Sequence, residues 1–491
     1  MPRVILAVGA YERDNFGDFL FLEVLRRSLP DDYIIAGSIL YASTDNHNGS
    51  VTVPYEYALN KQQFNAVFVV GGEIGGVDTS IAVDMSLNDK AQNIRHKGAS
   101  YPGFGTMVDS LYGVLENRPC AYMPDMREYP LNRNTPLIIN SVGIALFAES
   151  KDAEAIARSA SFVSVREPYS ASVLKGWGIQ GSTLAPDVVH VLPTLYQPKK
   201  RADSYILVQF SYHLAQMWGV ETVEMMLRKI HAKYKNKIVL LAAGSARGHD
   251  SIELYKNLVA SLKRTCEIEI AALLPGLKVV DLIAGAKATV STSLHVRIVS
   301  ASYGVARVSI ENEKVSRYVR EWDDAYPYNV ESGQVINALE NALDERRTND
   351  EATTNTAATD LALQNLANAL DCITDQNISF DEAYFYNQSL VYVQDSVLTG
   401  IAKCVEHMHK RDYEAKLIQK QADDYHAQAI EASKRTKLIQ KQADDYHAQA
   451  IEASKIIDEI MNSNAWKWVT RYRAIVDKAR HGVLPKNKTG S

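Results

Sequence analysis

The sequence lacks the features that mark secreted, membrane-spanning and zinc-binding proteins. Its four cysteines lie far apart in 491 residues and share no C-x-x-C spacing, which disfavours a disulfide framework and a zinc site. The chain enters an apolar strand directly after residue 3, so we expect no signal peptide. No apolar run reaches the roughly 18 residues that a membrane-spanning helix needs. These absences predict a cytoplasmic protein with reduced cysteines.

Several catalytic signatures are missing as well. The sequence contains no nucleophile elbow, no H-E-x-x-H motif and no Walker motif, so a serine hydrolase, a zinc protease and an NTPase have no support. The net charge of -5 provides no general attraction to nucleic acid, and we expect no nucleic-acid partner. An apolar fraction of 46% and a charged fraction of 23% are typical of a globular protein. The length suggests two or three domains.

The first thirty residues read as a strand, a turn and a helix. The apolar run 4–8 is typical of a strand buried on both faces of a parallel sheet. Asn15, Gly17 and Asp18 follow in the turn, at the head of a helix that runs to residue 29. Ligands of open α/β sheets bind beyond the carboxyl ends of the strands, so this turn is a candidate site. The alternative is structural, with polar caps and a turn glycine.

The same alternation of strand and helix continues to residue 345. Buried strands are predicted at 66–70, 120–123, 137–142, 162–165, 184–186, 205–210, 238–243, 288–291 and 305–310. A basic link at 198–201 separates two series, which predicts two doubly wound Rossmann-like α/β domains, 1–197 and 198–345. Two such domains facing a cleft have the general shape of a GT-B-like enzyme.

Polar residues and glycines stand at the ends of several predicted strands. They are Asn15, Asp18, the loop 71–76, Arg166, Asp187, His295 and Arg297. The loop 71–76 holds four glycines, which allow close approach of a ligand, but it lacks the G-K-[ST] ending of a phosphate-binding loop. Each residue alone is a weak signal, since His295 is compatible with a structural histidine and Arg166 with an ion pair to Glu167.

The order of these residues resembles the polysaccharide pyruvyl transferase family. The matching motifs are Asn15-Phe16-Gly17-Asp18, Gly71-Gly72-Glu73, Ser141-Val142-Gly143-Ile144, Ser164-Val165-Arg166-Glu167-Pro168-Tyr169-Ser170 with Gly178-Ile179, Pro186-Asp187, Ser293-Leu294-His295 and Lys314. They extend over roughly residues 3–320 in the family's order. Two positions depart from the pattern. Ser293 replaces the arginine two residues before the histidine, and Glu73 replaces a glycine.

The resemblance implies transfer of an enolpyruvyl group from phosphoenolpyruvate onto two sugar hydroxyls, as a cyclic ketal, in bacterial surface polysaccharide (exopolysaccharide) biosynthesis. It implies a saccharide or lipid-linked saccharide acceptor, and no cofactor or metal besides the donor substrate. This chemistry needs cations for the donor's anionic groups, and an acid and a base. The implied catalytic residues are Asp18, Arg166 and His295. The implied substrate-binding residues are Asn15, Gly17, Gly71, Gly72, Ser141, Gly143, Asp187, Ser293, Arg297 and Lys314. Arg297, four residues after Ser293, is a candidate replacement for the missing arginine, and the alternative is a different donor.

Two alternatives remain at this point. A glycosyltransferase using a nucleotide sugar would fit the same architecture. A catalytically lapsed scaffold, organised by its C-terminal helices, would explain Ser293 as a mark of lost activity.

The C-terminal third changes character. Residues 346–383 have few large apolar side chains at their start and are predicted to be a linker. In the helical region 384–461, Lys416–Lys434 recur unchanged as Lys437–Lys455, a shift of three heptads. Apolar residues follow a four-three spacing there, which predicts a coiled coil and a homo-oligomer. The alternative is a single amphipathic helix lying on its own catalytic domain.

The tail 462–491 combines Trp466 and Trp468 with lysines and arginines. Aromatic residues interleaved with cations on a short helix suit a membrane interface or an anionic partner. Residues 464–480 therefore predict peripheral contact with the inner face of a membrane. The alternative is docking of the two tryptophans into a protein groove.

Overall fold

The structure is a computed structural model. It describes residues 2–13, 15–39, 51–86, 118–199, 201–244, 249–272, 274–344 and 348–396, with scattered positions between 398 and 459. Most of the repeat and all of the tail lie outside the described residues, so the coiled coil and the membrane contact stay predictions. The chain divides into two units, Met1–Ser86 with Asn117–Ser389, and Leu87–Glu116 with Leu390–Ser491. The first unit holds both sheets.

The first sheet has seven parallel strands in the described residues, in the order β3-β2-β1-β4-β5-β6-β7. The strands are β1 (Val4–Val8), β2 (Tyr33–Ser38), β3 (Thr52–Pro54), β4 (Ala66–Val70), β5 (Leu137–Val142), β6 (Phe162–Val165) and β7 (Thr183–Leu184). Continuous runs of β-branched and aromatic residues favour strands covered on both faces. The strand order reverses beside β1, which opens a crevice between the ends of β1 and β4.

Helices connect these strands. They are α1 (Phe16–Ser28), α2 (Tyr55–Lys61), α3 (Thr79–Ser86), α4 (Lys151–Ser159), α5 (Pro168–Gly176) and α6 (Leu192–Leu195), with 3-10 turns at Met126–Glu128, Pro130–Asn132, Ala145–Phe147 and Val188–Val191. Side chains satisfy the free amides at several helix starts. Asn15 accepts from the Gly17 amide at α1, and Glu167 accepts from the Ser170 amide at α5.

The second sheet has five parallel strands in the described residues, in the order β10-β9-β8-β11-β12. The strands are β8 (Tyr205–Gln209), β9 (Lys237–Leu241), β10 (Ile268–Ala271), β11 (Ala288–Ser291) and β12 (Ala306–Ser309). The helices are α7 (Tyr212–Trp218), α8 (Val220–Tyr234), α9 (Ile252–Leu262), α10 (Gly276–Gly285), α11 (Leu294–Ser302), α12 (Glu313–Trp322) and α13 (Val335–Ala342), with a 3-10 turn at Ser332–Gln334. One hydrophobic cluster reaches from Phe68 of the first sheet to Tyr205 and Leu241 of the second.

The predicted α/β class with two parallel sheets is confirmed. The predicted strand 120–123 is wrong, because these residues form a buried turn. The amide of Ala121 donates to the carbonyl of Val77, and the amide of Met123 donates back to Cys120, so the backbone has no ladder to join. The predicted domain boundaries stay predictions.

The segment predicted as a linker contains helix α14 (Thr348–Leu370). Ala362, Leu366 and Ala369 are buried in the core at helical spacing, so small residues supply an apolar stripe that composition alone conceals. After α14 the chain returns to the first sheet, where the Asn65 side chain donates to the carbonyl of Thr374. Among the described helices, none is long and apolar enough to cross a membrane.

Candidate active site

The carboxyl ends of both sheets contribute charged residues to one region. Asp18 follows β1, Glu73 follows β4, Arg166 follows β6, Asp187 follows β7, His295 follows β11 and Lys314 follows β12. Since all strands of each sheet run the same way, these residues lie at the edge where ligands of such sheets bind. The sequence therefore predicted the placement of these residues.

Asp187 joins the two halves of this region. Its Oδ2 accepts a hydrogen bond of 2.8 Å from Nη1 of Arg166 and lies 3.7 Å from Nε2 of His295. The carboxylate is fully buried. Burial alone would raise the pKa of Asp187, but the neighbouring imidazole of His295 and the charge of Arg166 hold it well below its usual value. Asp187 is therefore ionised, and it balances the buried guanidinium.

Helix α12 of the second sheet holds the backbone of both members of this ion pair. Tyr318 Oη accepts from the amide of Asp187 at 2.9 Å. Trp322 Nε1 donates to the carbonyl of Arg166 at 2.8 Å. The Arg166–Asp187 ion pair, which belongs to the half of the chain with the first sheet, is thus held in place by hydrogen bonds to a helix from the half with the second sheet.

His295 packs directly against the predicted turn after β1. A Cβ added to Gly17 would lie 2.0 Å from its Nδ1, and the Phe21 ring meets it edge-on with centroids 5.1 Å apart. Among the described residues, His295 Nε2 has no hydrogen-bond partner. Gly17 is required here because any side chain would occupy the space of the imidazole.

Replacing Gly17 with alanine should displace His295 and destabilise the protein by about 1–3 kcal/mol, the usual cost of overpacking. Gly176 at the end of α5 is a matched control, because nothing lies within 4 Å of a Cβ added there. Urea denaturation should show a lower midpoint for Gly17→Ala and an unchanged or higher one for Gly176→Ala. Equal midpoints for Gly17→Ala and the wild type would contradict the contact.

Asp18 is held by its neighbours in the same turn. Its Oδ2 accepts from Asn15 Nδ2 at 2.8 Å and from Arg13 Nε at 3.1 Å. Gly72 lies opposite, where an added Cβ would be 3.9 Å from Asp18 Oδ1. Arg13 is a site residue that the sequence analysis missed, although it lies two residues before the N-x-G-D motif.

The glycine loop brings Glu73 into the same region. Gly71 and Gly72 have φ values of +60° and +76°, which only glycine adopts readily. Glu73 pairs with Gly143 in a β-bridge, and a Cβ on Gly143 would lie 2.6 Å from Glu73 Oε2. Among the described residues, Glu73 Oε1 has no hydrogen-bond partner. The carboxylate that departs from the family motif therefore lies against Gly143 and lines this region.

Lys314 completes the cluster from the second half. The residue keeps contact with solvent, yet the surrounding protein and the charge of Arg166 lower its pKa to about 8. The charges of Glu73 and Asp18 act in the opposite direction. Lys314 is therefore close enough to Arg166, Glu73 and Asp18 for their charges to shift its pKa, and its own charge is sensitive to mildly alkaline pH.

Comparison with known proteins agrees with this arrangement. The family model described as polysaccharide pyruvyl transferase matches residues 15–314. The chain belongs to the polysaccharide pyruvyl transferase family. It is therefore a member of a transferase family.

Solved structures resemble this pyruvyl transferase family member only distantly. UDP-GlcNAc 2-epimerase from Neisseria meningitidis is 9% identical, with 75% of this chain and 98% of that chain covered and a TM-score of 0.42. The epimerase from Methanocaldococcus jannaschii is 13% identical, with 70% and 93% covered and a TM-score of 0.39. Identities this low carry no information on the ligand. No curated protein sequence matches the chain at a significant level.

The missing family arginine is not replaced by Arg297. The Arg297 guanidinium is buried and donates to Asp323 Oδ2 at 2.6 Å and to the carbonyl of Pro327 at 2.8 Å. The expectation that it binds substrate is therefore wrong, because its side chain fastens α11 to the segment after α12. Ser293 caps α11, with its Oγ accepting from the Val296 amide.

A small crevice opens between the ends of β1 and β4. Its walls include Tyr11, Arg13, Asp18, Glu73 and Tyr122. Behind it, Glu12 accepts from Tyr122 Oη at 2.5 Å and from Ser86 Oγ at 3.0 Å. Within the described segments, no group of His, Cys, Asp or Glu side chains is arranged to hold a metal ion.

Burial of Glu12 should make the free energy of unfolding of this protein depend on pH. Burial raises the pKa of Glu12 from 4.5 to about 7, against the hydrogen bond from Tyr122. Its stabilising contribution is present below pH 4.5 and is lost as pH rises through 7. Glu12→Gln should therefore gain unfolding free energy relative to the wild type between pH 5 and 8, on the order of 2 kcal/mol.

Urea denaturation across this pH range measures the difference. Glu253→Gln is the control, because Glu253 is exposed on α9. A difference between Glu12→Gln and the wild type that stays constant with pH would contradict the burial of this carboxyl group.

Proposed function

We propose that this protein transfers an enolpyruvyl group from phosphoenolpyruvate onto two hydroxyls of a sugar, forming a cyclic ketal and releasing phosphate. The observation that carries the proposal is the gathering of Arg13, Arg166 and Lys314 around Asp18 and Glu73, close enough for each charge to act on Lys314. Phosphoenolpyruvate carries a carboxylate and a phosphate, and neutralising both requires several cations in one place.

Lys314 is the cation best suited to bind the phosphate. It keeps solvent contact, whereas the Arg166 guanidinium already donates to Asp187. A compact ammonium on a flexible stem binds phosphate as a point charge. Arg166 is positioned by Asp187 and contributes a fixed positive charge beside it.

The reaction also needs a proton donor and a proton acceptor. A proton adds to the methylene carbon, an acceptor oxygen bonds to C2, and the second oxygen replaces phosphate at C2. One hydroxyl proton is balanced by the proton that makes the methyl group, and the other leaves with phosphate. His295, beside the carboxylate of Asp187, is suited to donate the proton, and Asp18 is suited to accept one from a hydroxyl.

Phosphate release from phosphoenolpyruvate tests this function. The purified protein is assayed with galactosides, mannosides and their lipid-linked forms, and the ketal product is identified by mass spectrometry. Release that depends on an acceptor supports the proposal. Nucleotide-sugar binding without any phosphate release would favour a glycosyltransferase, and neither signal would favour a lapsed scaffold.

Lys314 predicts an alkaline limit to activity. As pH rises through about 8 its ammonium loses its proton, so kcat/KM for phosphoenolpyruvate should fall. Lys314→Arg keeps its charge over this range and should move the decline to higher pH. Lys314→Met should lower kcat/KM at pH 7 by about 10–100-fold. Identical pH profiles for the wild type and Lys314→Arg would assign the decline to another group.

We further propose that the acceptor is a saccharide or a lipid-linked saccharide, and that the chain self-associates through the repeats at 416–455. Light scattering on a variant lacking residues 416–457, which removes both copies of the repeat, tests the second point. An unchanged mass would place the contact elsewhere.

A further inference from the structure

A buried polar network connects α14 with the loops of the active site. Nδ2 of Asn365 donates to Asn140 Oδ1 at 2.6 Å, and it lies 3.1 Å from the hydroxyls of Ser141 and Ser164. Asn365 is 2% exposed, and the other three side chains are fully buried. Asn365 lies about fifty residues beyond the part of the chain that matches the family model.

Ser141 has an unusual backbone conformation within this network. Its φ of 54° is in the left-handed region, which a serine adopts only at a cost. Three hydrogen bonds hold it there. Its amide donates to Ser164 Oγ, its hydroxyl donates to the carbonyl of Pro186, and Asn365 donates to its hydroxyl. Strain of this kind persists where the surroundings impose it, and it is common at functional sites.

Ser141 is connected to the charged cluster in two ways, along the chain and through a hydrogen bond. Two residues further on, Gly143 packs against Glu73. Pro186, which accepts from Ser141, directly precedes Asp187, the partner of Arg166 and His295. The Ser141 side chain thus joins the loop that supports Glu73 to the loop that carries Asp187.

Helix α14 contacts the other elements of the site as well. It packs against α11, which carries His295, and against the 3-10 turn Val188–Val191 that follows Asp187. Thr359 Oγ1 donates to the carbonyl of His190 in that turn. Within the described residues, Asn140 Nδ2 and Asn365 Oδ1 have no hydrogen-bond partner. A buried network that is only partly satisfied costs stability compared with an apolar one, so stability alone does not account for it.

We propose that Asn365 is a positioning residue for the active site. Its amide holds Ser141 in the left-handed conformation, and through Ser141 it fixes the relative placement of Glu73 and Asp187. Helix α14 is then part of the catalytic unit and not a connection to the C-terminal region.

The experiment compares Asn365→Ala with Asn368→Ala, which lies on the exposed face of the same helix. Phosphate release is measured per folded protein, with the folded fraction taken from urea denaturation. We expect kcat to fall at least tenfold in Asn365→Ala and to change less than twofold in Asn368→Ala. A loss of stability with an unchanged kcat would overturn the proposal, because a merely structural residue would behave in that way.

The strain on Ser141 provides a second test. Glycine adopts a φ of 54° without cost, so in the Ser141→Gly background the backbone no longer needs Asn365. The effect of Asn365→Ala on kcat should therefore shrink to threefold or less in that background. A full tenfold effect in both backgrounds would exclude action through Ser141.

Both kcat measurements rest on the proposed function. We therefore add a third measurement that does not depend on it. The ring resonances of His295, assigned with His295→Gln, are followed by NMR in all variants. We expect them to shift in Asn365→Ala and to stay in place in Asn368→Ala. Shifted resonances in a protein that releases no phosphate would retain the positioning role and reject the reaction. Unmoved resonances in Asn365→Ala would reject the positioning role.

Discussion

Replacing His295 with asparagine should lower kcat for acceptor-dependent phosphate release by about 10²–10⁴-fold, the usual contribution of a positioned acid or base. The imidazole lies with its Nε2 3.7 Å from Asp187 and its other side against Gly17. Asparagine keeps a polar group of similar length but has no proton to exchange near neutral pH. Its smaller side chain fits the space, so the urea midpoint should change little.

His213→Asn is the matched control, because His213 is exposed on α7. Its kcat should equal that of the wild type. If His295→Asn retains more than a tenth of the wild-type kcat with the same KM, His295 does not transfer a proton in the slow step. The acid would then have to be sought elsewhere, with Lys314 as the next group to test.

The second large effect concerns the ion pair between Arg166 and Asp187. Arg166→Met should abolish activity and destabilise the fold by about 3–5 kcal/mol, because it leaves a buried carboxylate without its partner. Arg166→Met/Asp187→Leu removes both charges and should recover much of this stability without recovering activity. Urea denaturation and phosphate release on the three proteins measure the two effects separately.

Acid titration adds a signature of this ion pair. The pKa of Asp187 is depressed in the folded protein, so its stabilising contribution is present above its ordinary value of 3.8 and is lost as pH falls further. The double variant should lack this part of the acid destabilisation. Recovery of phosphate release in the double variant would show that neither charge takes part in the reaction.

Much of the fold could be predicted because its strands are short and uniformly apolar. The runs at 66–70 and 288–291 coincide with β4 and β11, since parallel strands buried on both faces leave a local signal. The run at 120–123 is equally apolar but forms a turn. The amide of Ala121 donates to the carbonyl of the distant Val77, and this tertiary contact is absent from the local sequence.

The candidate site could be predicted only in part for a similar reason. Motif order located Arg166, Asp187 and His295, which come together because strand ends share one edge. The distinction between Lys314, which lies near the charged cluster, and Arg297, which is bound to Asp323, depends on how the two helices are placed. Asn365 carries no local signal, since its importance comes from a contact with residues more than two hundred positions away.

The hydrogen bonds between α12 and the backbone of Arg166 and Asp187 bear on the activation free energy of the proposed reaction. Tyr318 and Trp322 fix two opposite charges before any substrate arrives. The field of these two charges is therefore set when the protein folds, and little reorganisation would be needed as charge develops in the proposed reaction. The free energy needed to orient these two groups is therefore spent when the protein folds, and not in every turnover.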